Sequence, residues 1–245
     1  MPAFKDHFSG HAPDYARFRP DYPEALFSWL AGQCPARRMA VDIGSGNGQA
    51  ALPLAGRFEH VVATDPSFRQ LGEAPESLWR VVALGEALPL RDRGVDLIGV
   101  AQALHWLDAQ RFGSEARRVL KAGGILAAWT YRWFRMAPPY GEAVERFYAR
   151  VAPWWPPERR LVEEGYAPVP LPGDPVAVPE FKMREEWALE RVAGYLRTWS
   201  ATKRFQADRG TDPVDVFECE VDLVTTGRTR VPVEWDLVLR VTRMS

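Results

Sequence analysis

The sequence has little of what marks secreted, metal-binding or membrane-spanning proteins. Only two cysteines, Cys34 and Cys219, occur in 245 residues, and neither belongs to a C-x-x-C pair or another metal-ligand spacing. So few cysteines favour a reducing compartment and no disulfide framework. No stretch approaches the 18 apolar residues of a membrane helix, and the opening MPAFKDHFSG lacks the apolar core of a signal peptide. We therefore expect a cytoplasmic protein with no bound metal and no membrane contact.

The sequence also lacks an excess of either charge. Its 31 basic and 32 acidic residues give a net charge of -1. Because binding to nucleic acid or to an anionic membrane relies on basic residues, this balance argues against both as partners. No internal repeat, low-complexity tract or Gly/Ser linker interrupts the chain, so we predict a single domain over residues 1–245. The oligomeric state is left open.

Apolar runs alternate with amphipathic stretches through the first half of the chain. Runs rich in Val and Ile, bounded by Gly, Asp or Pro, predict strands at 39–43, 60–65, 79–84, 95–101 and 124–130. Helical patterns occur at 24–34, 49–57, 67–74 and 109–121. Strands that are apolar throughout and separated by helices indicate an α/β fold with a parallel sheet covered on both faces.

The second half is rich in aromatic residues and prolines. Nine aromatic residues fall between positions 131 and 166, and prolines such as Pro138, Pro153 and Pro156 exclude one long helix there. Because such a segment must bury its rings and follows the fifth strand, we predict that residues 131–190 form a lid over the ligand crevice. An auxiliary core or a dimer contact is the alternative. Helices are predicted at 187–206 and about 212–225. Residues 230–243 are predicted to be a strand, in a sheet whose last members pair antiparallel at one edge.

A glycine-rich loop, VDIGSGNGQA (41–50), joins the first strand to a helix. Its glycines allow a sharp turn and close approach to a ligand. The next strand ends in Asp65, 21 positions after Gly44, where a carboxylate can accept both hydroxyls of a ribose. The dinucleotide pattern G-x-G-x-x-G fails, since Gln49 occupies its sixth position, and the G-K-[ST] of a P-loop is absent. A glycine turn without a ligand remains the alternative.

The pattern V-D-x-G-S-G-x-G resembles motif I of the class I S-adenosylmethionine-dependent methyltransferases. The segments ATDPSFRQL (63–71), GEALPLRDRGVDLIGVAQALHW (85–106) and RRVLKAGGILAAW (117–129) resemble the later motifs of that superfamily, in order and at the usual separations. FSGHAPDYARFRPDYP (8–23) and GYLRTWSATKRF (194–205) are similar to the type 11, trans-aconitate-methyltransferase-like subgroup. The resemblance implies a Rossmann-like, doubly wound, mostly parallel sheet of seven strands.

The resemblance also implies S-adenosylmethionine as the cofactor, with residues 1–23 covering it. The cofactor-binding positions that it carries over are Tyr15, Arg19, Asp42, Gly44, Ser45, Gly46, Asp65, Pro66, Phe68, Gly85, Glu86, Ala87 and Ala101. Relatives often place an Asp before A-E-x-L-P to bind the adenine amino group, but this chain has Leu84 there. Gly85, Ala87 or the Glu86 carboxylate would then replace that contact.

The acceptor of the methyl group is predicted to be a small molecule, with a carboxylic acid as one candidate. His105, just after the fourth strand, is the candidate general base, although it could equally be a wall residue. The residues expected to line the acceptor pocket are His105, Trp106, Trp133, Tyr195 and Trp199. An NAD-dependent oxidoreductase and a non-catalytic nucleoside-binding protein are the alternative functions. A nucleic-acid methyltransferase would call for a basic face and an N-P-P-Y-like motif in place of AQALHW.

Overall fold

Five parallel strands form the first part of the sheet in a computed structural model that describes residues 17–222 and 230–245. In chain order they are β1 (Met39–Ile43), β2 (His60–Asp65), β3 (Trp79–Val82), β4 (Val95–Ala101) and β5 (Leu120–Arg135). They lie side by side in the order β3-β2-β1-β4-β5. The strands β2 and β3 are added on one side of β1, and β4 and β5 on the other. This switch in strand order creates a crevice at the carboxyl ends of β1 and β4, where open α/β sheets bind ligands.

Within the described residues the sheet contains eight strands, not the seven that the resemblance implies. The last strand, β8 (Arg230–Arg243), runs antiparallel to β5, as predicted for 230–243. Two shorter strands, β6 (Asp174–Pro175) and β7 (Lys182–Ala188), both pair with its other edge. Both short strands therefore lie next to β8, one after the other along the same edge. Pro175 and Pro179 have no amide hydrogen, so the segment does not continue as one ladder.

Four helices accompany the parallel strands, close to the predicted positions: α1 (Glu24–Gln33), α2 (Ala51–Ala55), α3 (Phe68–Gly72) and α4 (Ala109–Val119). Along each strand, consecutive side chains enter opposite cores, so Leu97 packs with Phe27 of α1 and Ile98 with Phe112 of α4. Both faces of the sheet are therefore covered, which confirms the predicted α/β layering. The fifth strand is longer than predicted and includes Tyr131–Arg135, the first residues of the predicted lid.

The remaining helices belong to the second half of the chain: α5 (Tyr140–Val151), α6 (Arg159–Glu163), α7 (Leu189–Arg197), α8 (Ser200–Arg209) and α9 (Pro213–Asp222). The single helix predicted over 187–206 is wrong, because residues 182–188 form β7 and the backbone of Trp199 is extended (ψ 138°) between α7 and α8. Phe134, Phe147, Tyr195, Trp199 and Trp235 pack together in a third core. Many of the aromatic rings thus build an auxiliary core, the alternative that the sequence left open.

Among residues 17–222 and 230–245, no helix combines the length and the apolar character needed to cross a membrane.

Candidate active site

The glycine loop between β1 and α2 has a backbone conformation that residues with a Cβ atom rarely adopt. Gly44 and Gly46 have φ of 66° and 56°, in the left-handed region that favours glycine. A Cβ on Gly44 would lie 2.5 Å from the Cβ of Ala103, which follows β4. The Ser45 amide donates to the carbonyl oxygen of Thr64 at 2.9 Å, tying the loop to β2. The loop therefore exposes its backbone at the mouth of the crevice.

Asp42 is buried directly beneath this loop. Its Oδ2 accepts the Ser45 hydroxyl at 2.6 Å, whereas Oδ1 has no hydrogen-bond partner within the described residues. Burial raises the pKa of the Asp42 carboxyl to about 7, and the charge of Asp65 adds to the rise while the Ser45 hydrogen bond opposes it. Asp42 thus steadies the loop through Ser45 and keeps one oxygen available for a ligand or water.

Asp65 lies at the end of β2, facing the glycine loop. Its Oδ2 accepts the Gly46 amide at 3.0 Å, and its Oδ1 accepts the Ser67 amide at 2.8 Å. Each carboxylate oxygen has a second lone pair, so these bonds orient the group without using up its capacity to accept from a ribose. Pro66 follows directly, and the Phe68 ring is 77% exposed beside it, which suits a residue expected to border an adenine.

The segment Gly85–Ala87, expected to contact the adenine, has a packing role of its own. A Cβ on Gly85 would lie 2.7 Å from Cγ2 of Ile43, so the close packing against β1 requires glycine. The Glu86 carboxylate accepts the Asp108 amide at 2.8 Å, just before α4. Ala87 forms an isolated β-bridge with Leu84, the residue that replaces the usual Asp. The adenine contacts of this segment stay a prediction.

Residues 17–23 lie across the carboxyl ends of the strands. The carbonyl oxygen of Pro20 accepts Nε2 of Gln49 from the glycine loop at 2.6 Å. Arg19 Nη1 donates to the Tyr131 hydroxyl at 3.3 Å, and its guanidinium lies 5.3 Å from the centre of the Tyr195 ring. Tyr15, the other contact expected near the methionine end, lies outside the described residues. The covering role of residues 1–23 also stays a prediction.

Gln102 follows Ala101 at the end of β4, and sequence reasoning missed it. Its backbone has a φ of 53°, which is strained for a residue other than glycine. Its side-chain Nε2 donates to the carbonyl oxygen of Tyr131 at 3.1 Å, and its Oε1 accepts the Thr130 hydroxyl at 2.6 Å. These bonds hold the strained residue in place at the crevice, beside the Ala101 carbonyl expected to accept from the methionine ammonium. No pattern in the sequence indicates this conformation.

A pocket opens beside β4 and β5, and three arginines and five aromatic residues contribute to its wall. The lining residues are Arg19, Gln102, His105, Trp106, Tyr131, Arg132, Trp155, Pro156, Arg159, Val162, Tyr195, Trp199 and Ser200. Four of the five residues expected to line an acceptor pocket are brought together here. The fifth, Trp133, instead packs against Tyr148 with ring centres 4.5 Å apart. No aspartate or glutamate is among the lining residues of the described chain, so the pocket is positively charged.

His105 stands in this pocket as a neutral imidazole. Its Nδ1 lies 3.0 Å from the hydroxyl of the buried Tyr166, and its ring lies 4.5 Å from the Trp106 ring, centre to centre. Burial lowers the pKa of His105 to about 3, and the positive charge of Arg159 lowers it further. A group with so low a pKa is a weak proton acceptor at neutral pH.

Arg159 begins α6 and stacks on Trp155, its guanidinium 4.5 Å from the ring centre. Its Nε lies 3.5 Å from Oε1 of Glu163 without the geometry of a hydrogen bond. Nε of Arg159 and Nε1 of Trp155 are both buried and find no acceptor within the described residues. Buried donors without acceptors are rare, and both of these belong to side chains that line the pocket. No sequence motif identified Arg159 or Trp155 as a residue of the pocket.

Comparison with known proteins agrees with this arrangement. The family model described as a methyltransferase domain matches residues 41–128, from β1 into β5. A solved structure from Anaeromyxobacter dehalogenans, provisionally named a type II methyltransferase, is 38% identical, covers 92% of this chain and 98% of its own, and superposes with a TM-score of 0.85. A provisionally named methyltransferase of Dictyostelium discoideum is 29% identical over 82% of this chain and 80% of its own length. An uncharacterised methyltransferase of Mycobacterium tuberculosis is 40% identical over 48% of this chain and 49% of that protein.

The chain belongs to the class I S-adenosylmethionine-dependent methyltransferases, and S-adenosylmethionine is its cofactor. The residues present fit that group. The positive φ of Gly44 and Gly46 brings bare backbone to the crevice, and Asp65 is oriented to accept hydroxyl groups. Asp42 keeps an oxygen without a partner in the described structure. Of the alternatives, the NAD-dependent oxidoreductase is set aside by this family membership.

Proposed function

We propose that the protein methylates an ionised carboxylate of a small organic acid. The observation that carries the proposal is the positively charged pocket, in which Arg159 and Trp155 present buried N–H groups without acceptors. A carboxylate supplies two oxygens and a negative charge, and it matches a guanidinium better than a neutral acceptor does. The trans-aconitate-like resemblance of the sequence points in the same direction.

The state of His105 supports an acceptor that needs no general base. A carboxylic acid is already ionised at neutral pH, whereas a hydroxyl or ammonium group must lose a proton before or during transfer. With its pKa lowered to about 3, His105 is poorly suited to take that proton. We therefore assign His105 to the pocket wall, where its uncharged ring contacts Trp106 and Tyr166.

The cofactor, when bound, supplies a methyl group on a positively charged sulfur. The chain's own contribution is to bind, align and dehydrate the acceptor. Arg159 binds the negative charge of the acceptor, while Trp155, Tyr195 and Trp199 exclude water with their rings. Binding by a half-buried arginine also selects against neutral compounds of the same shape.

A small acceptor is favoured by the part of the chain that walls the pocket. Six lining residues come from the segment proposed as a lid, namely Tyr131, Arg132, Trp155, Pro156, Arg159 and Val162. Together with α7 and residues 17–23 they surround the pocket on several sides, leaving little room for a polynucleotide or a folded protein. Residues 131–135 and 182–188 belong to strands of the sheet, so we keep the lid for residues 136–181. The single-domain organisation and the absence of a nucleic-acid partner are also parts of this proposal.

A panel of small carboxylic acids, assayed with methyl-labelled S-adenosylmethionine, tests the proposal. We expect volatile, base-labile label, as for a methyl ester, with at least one acid of the panel. Arg159→Met should raise the KM for that acid about 10- to 100-fold, since a charge-assisted pair is lost, and leave cofactor affinity unchanged. Arg160→Met is the matched control, because Arg160 is the next residue on α6 and its side chain is 75% exposed.

Two results would contradict the proposal. One is methyl transfer confined to amines, hydroxyls or carbon acids, with no ester formed from any acid tested. The other is an Arg159→Met enzyme that keeps the wild-type KM for its acid. In either case the charge of the pocket serves another purpose, and His105→Ala then becomes the informative variant.

A further inference from the structure

We propose that Tyr148 keeps Glu163 from closing to a direct hydrogen bond with Arg159, and so keeps the donors of Arg159 available to the acceptor. Tyr148 and Glu163 are then positioning residues that set how strongly the pocket binds an anion. This inference rests on the proposed function, since it concerns the same arginine. It goes further by predicting that two residues outside the pocket wall change anion affinity in opposite directions.

The Glu163 carboxylate contacts both Tyr148 and Arg159, and its contact with Tyr148 is the closer one. Oε1 of Glu163 accepts the Tyr148 hydroxyl at 2.5 Å, a short and direct hydrogen bond. The same oxygen lies 3.5 Å from Nε of Arg159, which forms no hydrogen bond to it. Glu163 follows Arg159 by four residues, a spacing at which helical side chains can pair closely. Glu163 and Arg159 therefore form a loose ion pair, while the close hydrogen bond of the carboxylate goes to Tyr148 on α5.

Glu163 matters because it is the negative charge that competes with an acceptor for Arg159. If it closed on the guanidinium, it would occupy the donors and neutralise the charge that an incoming carboxylate needs. Tyr148 is suited to prevent this at all ordinary pH values. Burial and the hydrogen bond to Glu163 raise the pKa of the Tyr148 hydroxyl to about 12, although the charge of Arg159 and a weaker hydrogen bond from its side chain oppose the rise. The hydroxyl therefore keeps its proton and remains a donor.

Anion binding can be measured before the natural acceptor is known, with benzoate as the probe. The dissociation constant is measured by calorimetry on the enzyme saturated with S-adenosylhomocysteine, and benzamide serves as the neutral ligand of the same shape. Tyr148→Phe should raise the dissociation constant of benzoate about two- to fivefold, because Glu163 is released to pair with Arg159. Glu163→Gln should lower it by a similar factor, because the competing charge is gone. Benzamide binding should change in neither variant.

The double variant and a matched control separate this idea from a general loss of packing. Tyr148→Phe combined with Glu163→Gln should bind benzoate like Glu163→Gln alone, because Tyr148 acts only through Glu163. Tyr140→Phe removes another hydroxyl from the same helix and should leave benzoate binding unchanged. A Tyr148→Phe enzyme that binds as tightly as wild type, or a Glu163→Gln enzyme that binds more weakly, would overturn the proposal.

A crystal structure of Tyr148→Phe gives a readout that needs no ligand. The distance from the Glu163 carboxylate to the Arg159 guanidinium should shorten from 3.5 Å to about 2.8 Å, the length of a direct charged hydrogen bond. An unchanged distance would refute the role of Tyr148 whatever benzoate does. If wild type and Arg159→Met bind benzoate equally, the proposed anion site itself fails, while this structure still decides the role of Tyr148.

Discussion

Asp65 shows how single residues prepare the cofactor site. The amides of Gly46 and Ser67 hold its two oxygens in place, so the carboxylate is oriented before a ribose arrives. Asp65→Ala would leave two ribose hydroxyls unpaired and should cost about 1.5–3 kcal/mol of S-adenosylhomocysteine binding, roughly a tenfold to more than a hundredfold loss of affinity. Calorimetry measures this, with Asp92→Ala as a control at an exposed ion pair. Equal affinity in wild type and Asp65→Ala would remove Asp65 from the site.

Residues close together in sequence were predictable, whereas residues that meet only through the fold were not. Gly44 and Asp65 occur in a strand–loop–helix–strand unit with a recognisable spacing, so the sequence alone predicts them as site residues. Arg159 reaches the pocket wall, with Tyr148 behind it, from a segment whose path depends on how the third core packs. Its prolines and rings predict burial, yet nothing local specifies which arginine faces the pocket.

At the scale of an element, two glycines have opposite structural roles. Gly44 has φ of 66° and no room for a Cβ, whereas Gly32, near the end of α1, has no atom within 4 Å of that position. Gly44→Ala should lower the free energy of unfolding by about 2 kcal/mol or more and weaken cofactor binding. Gly32→Ala should raise it by about 0.5–1 kcal/mol, because alanine favours helix. Urea unfolding of the two variants checks both signs, and a Gly44→Ala protein as stable as wild type would contradict the strain.

Element boundaries were harder to predict than element types. The alternation of apolar runs and amphipathic stretches located the first five strands and the helices between them. It did not show that residues 182–188 are a strand instead of the start of a helix, because that assignment depends on pairing with the distant β8. Nor did it show the break at Trp199, whose buried ring is fixed by contacts with Phe134, Phe147 and Tyr195.

For the whole molecule, two buried groups give opposing pH dependences of stability. Folding raises the pKa of Asp42 from 3.8 to about 7, so its contribution is lost as pH rises through that range. Folding lowers the pKa of His105 from 6.5 to about 3, so its contribution is lost as pH falls through that range. Between about pH 4 and 6.5 each group contributes a slope of about 1.4 kcal/mol per pH unit, with opposite sign. The two slopes should nearly cancel.

Asp42→Asn tests this balance, since asparagine keeps the shape and an oxygen for Ser45 but does not titrate. The free energy of unfolding of the variant, measured in urea without cofactor, should rise with pH between about 4 and 6.5 by up to about 1.4 kcal/mol per unit. Wild type should be much flatter over the same interval. Parallel curves for the two proteins would show that Asp42 does not carry the raised pKa.

The position of β8 between β5 and the pair β6 and β7 also has a consequence for synthesis. Residues 136–229 separate β5 from β8 in the chain, yet the two strands are neighbours in the sheet. While the ribosome is still adding those residues, the long apolar edge of β5 has no partner, and β6 and β7 have no strand to join. Such an edge readily pairs with another chain. The nascent protein therefore passes through a stage in which its parallel half is assembled and prone to aggregate through the free edge of β5. That stage ends only when residues 230–243 have been synthesised and pair with β5.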